Sequence, residues 1–143
     1  MTKLLIIYHT QSGNTKALAE AVTKGAKEAG AQVVCKIAAK SDEKDFLWAD
    51  TFAFGSPDYF SYMAGALKDV FDRVFYQVKE KVKGKPFGAF ITHGGGGTAA
   101  KSICKLASSF GLKEKIEPLL IQGKPDKDGL RQGREFGKKL VSA

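Results

Sequence analysis

Hydroxyl and amide side chains are concentrated in the segment that directly follows the first apolar run of the chain. Its residues are Thr10, Gln11, Ser12, Gly13, Asn14 and Thr15. A helical pattern comes next, and the free N–H groups at the start of a helix attract anions. Capping that helix requires only one such side chain, and Ser12 or Asn14 could serve. The surplus of polar groups favours a site for a phosphate monoester.

Two adjacent aromatic residues mark a second segment, which follows the third apolar run. Its residues are Gly55, Ser56, Pro57, Asp58, Tyr59, Phe60 and Ser61. A flat ring ligand would explain aromatic side chains in this loop, because they stack on such a ring and exclude water from it. The alternative is that Tyr59 and Phe60 cover the core from outside. We expect the residues from Ser56 to Phe60 to contact a ligand.

Glycine dominates a third segment, which follows the fourth apolar run. Its residues are Thr92, His93, Gly94, Gly95, Gly96 and Gly97. Glycines allow the backbone to approach a ligand closely and to present bare N–H groups to it, although such a loop could also be merely flexible. We expect Thr92 to Gly96 to contact the ligand. His93 and His9 have no further ligands at suitable spacing, so no metal site is expected.

Apolar runs and helical patterns alternate along the whole chain. Strands are predicted at residues 3–8, 33–37, 51–55, 87–91 and 116–121. Helices are predicted from the first polar segment to a stop at Gly30, and at residues 43–49, 62–78, 98–110 and 126–141. This alternation is typical of an α/β fold in which helices cover both faces of a parallel sheet. Pro118 weakens the fifth strand and suggests that it lies at an edge.

The three polar segments all follow predicted strands. In open α/β sheets, ligands bind beyond the carboxyl ends of the strands, where the strand order reverses. We therefore expect the three segments to meet at one edge of the sheet and to form one site.

The first segment resembles the FMN phosphate loop of the flavodoxin family. That family's pattern, T/S-x-T/S-G-N-T, is matched completely from Thr10 to Thr15. The loop is neither a Walker A loop nor a Rossmann G-x-G-x-x-G motif. The resemblance implies a flavodoxin-like doubly wound five-stranded sheet of order 2-1-3-4-5. It also implies a single FMN-binding domain over residues 1–143.

The second segment resembles the G-S/T-P-x-x-F/Y block of the flavodoxin-like quinone reductases of the tryptophan-repressor-binding-protein type. Phe60 matches the family's aromatic residue, whereas Tyr59 replaces its usual arginine and Asp58 its threonine. The glycine-rich segment and residues 132–137 are also similar to that group, so the resemblance spans essentially the whole chain. It implies that the second and third segments lie along the isoalloxazine ring.

The resemblance implies an FMN-binding redox protein that relays electrons to a partner protein docked near Tyr59 and Phe60. The alternative is an NAD(P)H-dependent FMN or quinone reductase, and a second alternative is an interaction module without flavin. The net charge of +8 favours the reductase, since low-potential flavodoxins are generally acidic. The chain lacks the extra segment of tetrameric quinone reductases. No side chain is assigned as a catalytic acid or base, and monomer and homodimer remain open.

His93 supports one further hypothesis about the flavin. Its N–H group or positive charge would stabilise the anionic reduced ring near N1 and C2=O and so raise the reduction potential. Two other classes with this sheet order are excluded. Response-regulator receivers need clustered aspartates at the ends of strands one and three, and small tyrosine phosphatases need a cysteine–x5–arginine loop after strand one.

The use of cysteine predicts a protein of the reducing cytoplasm. Cys35 and Cys104 belong to no disulfide pattern, and we expect both to be small buried hydrophobes. The N-terminus shows no signal peptide, and no apolar run approaches the roughly 18 residues of a membrane span. The lysines at 79, 81, 83 and 85 lack interleaved aromatic residues, so neither nucleic acid nor a membrane is expected as a partner.

Overall fold

A computed structural model describes residues 1–143 as one sheet flanked by helices. The strands are β1 (Lys3–Tyr8), β2 (Gln32–Ile37), β3 (Thr51–Pro57), β4 (Pro86–His93), β5 (Lys113–Glu114) and β6 (Leu119–Gln122). The helices are α1 (Asn14–Glu28), α2 (Glu43–Trp48), α3 (Gly65–Val82), α4 (Ala99–Ser109) and α5 (Lys127–Val141), with a short 3-10 helix at Ala38–Lys40. None of the helices is both long enough and apolar enough to cross a membrane.

The strands follow the order β2-β1-β3-β4-β5, and β6 also pairs with β4. All of these pairs are parallel, which confirms the predicted doubly wound sheet. The prediction of one continuous fifth strand over residues 116–121 is wrong, because this edge is occupied by two short strands. β5 pairs with the start of β4 and β6 with its end. Pro118 lies between them and has no N–H group with which to continue the ladder.

The core lies on both faces of the sheet because the central strands bury successive side chains on opposite sides. Leu5, Ile7 and Phe54 pack with residues of α2, α3 and α4, in a core rich in phenylalanine. Leu4 and Ile6 pack with residues of α1 and α5 on the other face. The carboxyl ends of the strands are thereby held rigidly beside one another.

Helices α1 and α5 approach each other at backbone distance. A Cβ atom at Gly25 would overlap the carbonyl oxygen of Arg134, and one at Gly137 would overlap that of Val22. A Cβ atom at Gly133 would lie 2.9 Å from the side chain of Leu18. These three glycines therefore bring the two helices together without intervening side chains, and the outer faces of the helices form one continuous surface.

Several predicted boundaries are wrong by a few residues. β3 extends to Pro57 and β4 to His93, so the first residues of the second and third polar segments belong to strands. α3 begins at Gly65 rather than at residue 62. The observed ends of β3 and β4 therefore place the second and third polar segments closer to the rigid sheet than the sequence suggests.

The cysteines are less buried than predicted. Cys35 is exposed because β2 is an edge strand that pairs with β1 alone. Cys104 is half-buried on α4, and its thiol donates to a carboxylate oxygen of Glu114 over 3.4 Å. Burial and this neighbouring carboxylate raise the pKa of the Cys104 thiol to about 12. Its thiolate is therefore scarce at neutral pH.

Candidate functional site

The first polar segment forms the start of α1 without a side-chain cap. Gly13 occupies the cap position with a φ of 97°, a left-handed conformation that favours glycine, so neither Ser12 nor Asn14 is the cap. The N–H group of Gly13 donates to the hydroxyl of Thr10 over 3.0 Å, which closes the loop on itself. No side chain accepts a hydrogen bond from the first turn of the helix. Its N–H groups are therefore available to an anion.

Thr15 connects this loop to the third segment. Its hydroxyl oxygen lies 2.8 Å from that of Thr92, and both side chains are buried. Thr15 thus holds the start of α1 against the end of β4. The two hydroxyls satisfy each other, so their main observed role is to fix the distance between two loops of the site.

The second segment is fixed at its base by Ser56. The Ser56 hydroxyl donates to the carbonyl oxygen of Pro57 over 2.6 Å and accepts from the N–H of Ala64 over 2.8 Å. Ser56 is fully buried. Ser56 therefore fixes the backbone of the second segment through these hydrogen bonds and does not line the hollow.

Beyond Ser56 the second segment turns back on itself at residues 59–62. Tyr59 and Tyr62 exchange both backbone hydrogen bonds at 3.0 Å. The two residues between them, Phe60 and Ser61, have φ values of 56° and 63°, as in a type I′ turn. The left-handed conformation costs a bulky residue about 1–2 kcal/mol. The turn presents the Phe60 side chain fully to solvent.

Tyr59 leans across the first loop. Its hydroxyl donates to the side-chain oxygen of Gln11 over 2.7 Å. Its ring meets His9 edge to face, with the ring centroids 6.1 Å apart. Tyr59 therefore joins the second segment to the first and forms one side of the space between them.

The three segments enclose a hollow of about 320 Å³ at the carboxyl ends of the strands. It is lined by Gln11, Ser12, Asn14, Pro57, Asp58, Tyr59, Thr92, His93, Gly94 and Gly123. All three predicted segments contribute to this lining, so the structure brings them together. The remaining predicted site residues, which lie beside the hollow rather than in its lining, are Thr10, Gly13, Thr15, Ser56, Phe60, Gly95 and Gly96.

Gly123 is the lining residue that sequence reasoning missed. It directly follows β6, and its N–H group donates to the carbonyl oxygen of His93 over 2.8 Å. Its position just after a strand was the available signal, since every other lining segment also follows a strand. The short turn after residue 121 matches none of the three compositions that marked the other segments, so the sequence did not single it out.

Two residues that line the hollow each have a buried polar atom with no partner within the protein. Oδ1 of Asp58 and Nδ1 of His93 are buried, and neither forms a hydrogen bond. Buried polar atoms are nearly always paired, so these two indicate where a polar ligand would bind. Asp58 offers a hydrogen-bond acceptor, and His93 offers a nitrogen that accepts or donates according to its protonation state.

This set of groups fits FMN. Free N–H groups and hydroxyls at the start of α1 suit a phosphate, and the Tyr59 ring suits a flat heterocycle. The unpartnered atoms of Asp58 and His93 suit the N–H and carbonyl groups at the polar edge of a flavin ring. No group of His, Cys, Asp and Glu side chains is arranged to hold a metal ion.

Comparison with known proteins identifies the family. The family model described as NADPH-dependent FMN reductase matches residues 38–114, which is more than half of the chain. The chain belongs to this flavodoxin-like family. The prediction of a flavodoxin-like protein with FMN as its cofactor is thereby confirmed at the level of the family.

Individual relatives of this flavodoxin-like chain include a flavodoxin and a quinone dehydrogenase. A flavodoxin of Aquifex aeolicus (strain VF5) is 37% identical over 117 residues, which are 78% of this chain and 63% of that protein. The match thus spans less than two thirds of the Aquifex protein. NAD(P)H dehydrogenase (quinone) 3 of Rhizobium meliloti (strain 1021) is 26% identical over 165 aligned positions, covering 96% of this chain and 76% of that protein.

A solved structure of a flavodoxin from the domain Archaea has the same architecture. It superposes with a TM-score of 0.89 at 25% sequence identity, covering 97% of this chain and 96% of the archaeal chain. The likeness therefore extends over nearly the whole of both chains.

Proposed function

We propose that this chain is an electron carrier that binds FMN in the hollow between the three loops. One observation supports this most strongly. The uncapped start of α1 and the unpartnered atoms of Asp58 and His93 belong to the same hollow. A helix start with no ligand would not need unpaired polar atoms beside it. FMN has a phosphate that suits the start of α1 and a polar ring edge that suits Asp58 and His93.

The phosphate would be held by neutral groups. The side chains of Ser12 and Asn14 line the hollow beside the N–H groups of the first helical turn. The positive end of the helix dipole favours a negative charge there without any lysine or arginine. Thr10 and Gly13 shape the loop, and the hydroxyl pair of Thr15 and Thr92 sets its distance from the third segment.

The ring would be held by Tyr59, Asp58 and His93. FMN, when bound, supplies reversible uptake of electrons, and the protein supplies its binding, orientation and electrostatics. The N–H or positive charge of His93 would stabilise negative charge gained by the ring on reduction, which raises the reduction potential. The Asp58 carboxylate would oppose that charge and lower the potential. His93 and Asp58 thus shift the reduction potential of the flavin in opposite directions.

A redox partner would contact the protein at the tip of the second segment. Phe60 is fully exposed at the strained turn, and the neighbouring Tyr62 is 45% exposed. An exposed aromatic side chain beside the hollow offers an apolar contact near the ring. This arrangement suits a carrier that must meet its partner briefly at the flavin edge.

The second candidate function is an NAD(P)H-dependent reductase acting on FMN or a quinone. The match to the NADPH-dependent FMN reductase model and the similarity to the Rhizobium quinone dehydrogenase favour it. The positive net charge agrees with this candidate too, because NAD(P)H is an anion.

A redox titration of the FMN-loaded protein followed by an NAD(P)H turnover assay tests the proposal. A carrier should be reduced in resolved one-electron steps and should not oxidise NADH or NADPH, with or without a quinone. Rapid NAD(P)H oxidation that depends on the quinone would establish the reductase instead. Protein that binds no FMN would exclude both and leave an interaction module without flavin.

A further inference from the structure

A basic groove runs along the outer surface between α1 and α5. It has a volume of about 550 Å³. The cationic residues in its lining are Lys24, Lys127, Arg131 and Arg134, and Glu20 is the one acidic residue among them. The groove exists because Gly25, Gly133 and Gly137 bring the two helices into backbone contact.

Most of the positive charge in this groove is not neutralised by the protein. Lys24, Lys127 and Arg134 form no ion pair, whereas Arg131 is held by Asp128 at 2.7 Å. On α3, by contrast, both Lys68 and Arg73 are paired with aspartates one turn away. The groove therefore concentrates uncompensated charge in a chain whose net charge is already +8.

The groove also has an apolar part. Ala21 is buried and Leu130 half-buried, and both line it between the charged side chains. An apolar centre with a charged rim is the usual anatomy of a protein–protein contact, in which arginine is enriched. No aromatic side chain lines the groove, so bases of a nucleic acid would have nothing on which to stack.

A small anion is a poorer match to the groove than a protein surface. Small-molecule sites carry a few precisely placed polar groups in an enclosed space. The two unpartnered buried polar atoms of this chain belong to residues that line the candidate FMN site, and no residue of the groove has one. The cations of the groove lie on long, mostly exposed side chains, which suit a broad acidic surface.

The groove lies next to the candidate FMN site. Ala17, in its lining, is one helical turn from Asn14, which lines the hollow. Lys127 follows Gly123 of the hollow by four residues. We propose that the α1–α5 groove is a docking surface for an acidic protein, and, resting on the proposed function, that this protein is the one that exchanges electrons with the flavin.

Poly-L-glutamate serves as a polypeptide probe of defined charge. Binding to the full-length, isotope-labelled protein is followed by calorimetry and by amide chemical shifts at low salt. The shifts should be concentrated on α1 and α5, and binding should weaken as salt is added. The double variant Lys24→Glu/Lys127→Glu should bind the probe about tenfold more weakly or worse, since it reverses two of the unpaired charges.

The matched control is Lys81→Glu/Lys113→Glu, which makes the same change in net charge at exposed lysines outside the groove. It should weaken binding by less than about twofold. Equal weakening by both variants, shifts on another face, or no binding at low salt would overturn the proposal. Displacement of the probe from these residues by polyuridylate at equal charge would overturn it in favour of nucleic acid.

The same proteins are titrated with FMN in a separate assay. Neither groove lysine lines the hollow, so FMN affinity should stay within about twofold of the unmodified protein. If the unmodified protein does not bind FMN, the proposed redox function is refuted. The probe experiment would still decide whether the groove binds an acidic polypeptide. Failure of the docking proposal is therefore distinguishable from failure of the proposed redox function.

Discussion

The side-chain oxygens of Thr15 and Thr92 lie 2.8 Å apart, in the buried space between the start of α1 and the end of β4. The two residues are 77 positions apart in the sequence. Their exposed fractions are 1% and 5%, so water cannot replace either partner. This one hydrogen bond joins the first polar segment to the glycine-rich segment.

Replacing Thr15 with valine should lower the free energy of unfolding by about 1–3 kcal/mol, because the Thr92 hydroxyl would lose its buried partner. Urea denaturation monitored by circular dichroism measures this change. The double variant T15V/T92V should lose less stability than the sum of the two single variants, since no hydroxyl remains unpaired. Strictly additive losses would show that the two hydroxyls are not coupled.

Tyr59 should contribute to FMN affinity through its ring. Tyr59→Ala should weaken FMN binding by about tenfold or more, comparable to the loss of one stacking contact. Tyr59→Phe keeps the ring and removes only the hydrogen bond to Gln11, so its effect should be much smaller. Tyr76→Ala on α3 is the control, because that side chain is 81% exposed and lies outside the hollow. Similar losses for Tyr59→Ala and Tyr76→Ala would remove Tyr59 from the site.

His93 and Asp58 should shift the two-electron reduction potential of bound FMN in opposite directions. His93→Ala removes a donor or a positive charge, so the potential should fall. Asp58→Asn removes a negative charge, so the potential should rise. Each shift should be on the order of 30 mV, equivalent to about 1.4 kcal/mol for two electrons. A spectroelectrochemical titration gives both values, and shifts of the same sign would contradict the assignment.

The glycine contact between α1 and α5 should be sensitive to a single methyl group. Gly137→Ala should destabilise the protein by about 1–3 kcal/mol, because its Cβ would overlap the carbonyl oxygen of Val22. Gly65→Ala is the matched control, since a Cβ there meets no atom within 4 Å and the residue lies at the start of α3. Thermal unfolding compares the two variants. Equal melting temperatures for Gly137→Ala and Gly65→Ala would show that α1 and α5 are not in backbone contact at Gly137.

The location of the site was predictable because it depends on local composition and on one rule of topology. Alternating strands and helices predict a parallel sheet, and its carboxyl ends must meet at one edge. The unusual loops after β1, β3 and β4 therefore had to lie together. The resemblance of residues 10–15 to a phosphate loop then indicated the ligand.

Other features depend on contacts between distant residues and could not be predicted. The burial of Oδ1 of Asp58 and Nδ1 of His93 results from how the second and third loops pack. The exposure of Cys35 follows from the edge position of β2, which its apolar sequence does not reveal. The division of the fifth strand at Pro118 depends on which part of β4 each half reaches.

Titration of FMN with the purified protein, followed by flavin fluorescence, measures whether the hollow binds FMN. The fluorescence should be quenched to a clear end point at one FMN per chain, with a dissociation constant in the micromolar range or below, about −8 kcal/mol or stronger. Riboflavin, which lacks the phosphate, should bind at least about tenfold more weakly, because the start of α1 would lose its anion. Absence of quenching at excess FMN would show that the protein does not bind FMN. Equal affinity for FMN and riboflavin would show that the start of α1 does not hold the phosphate.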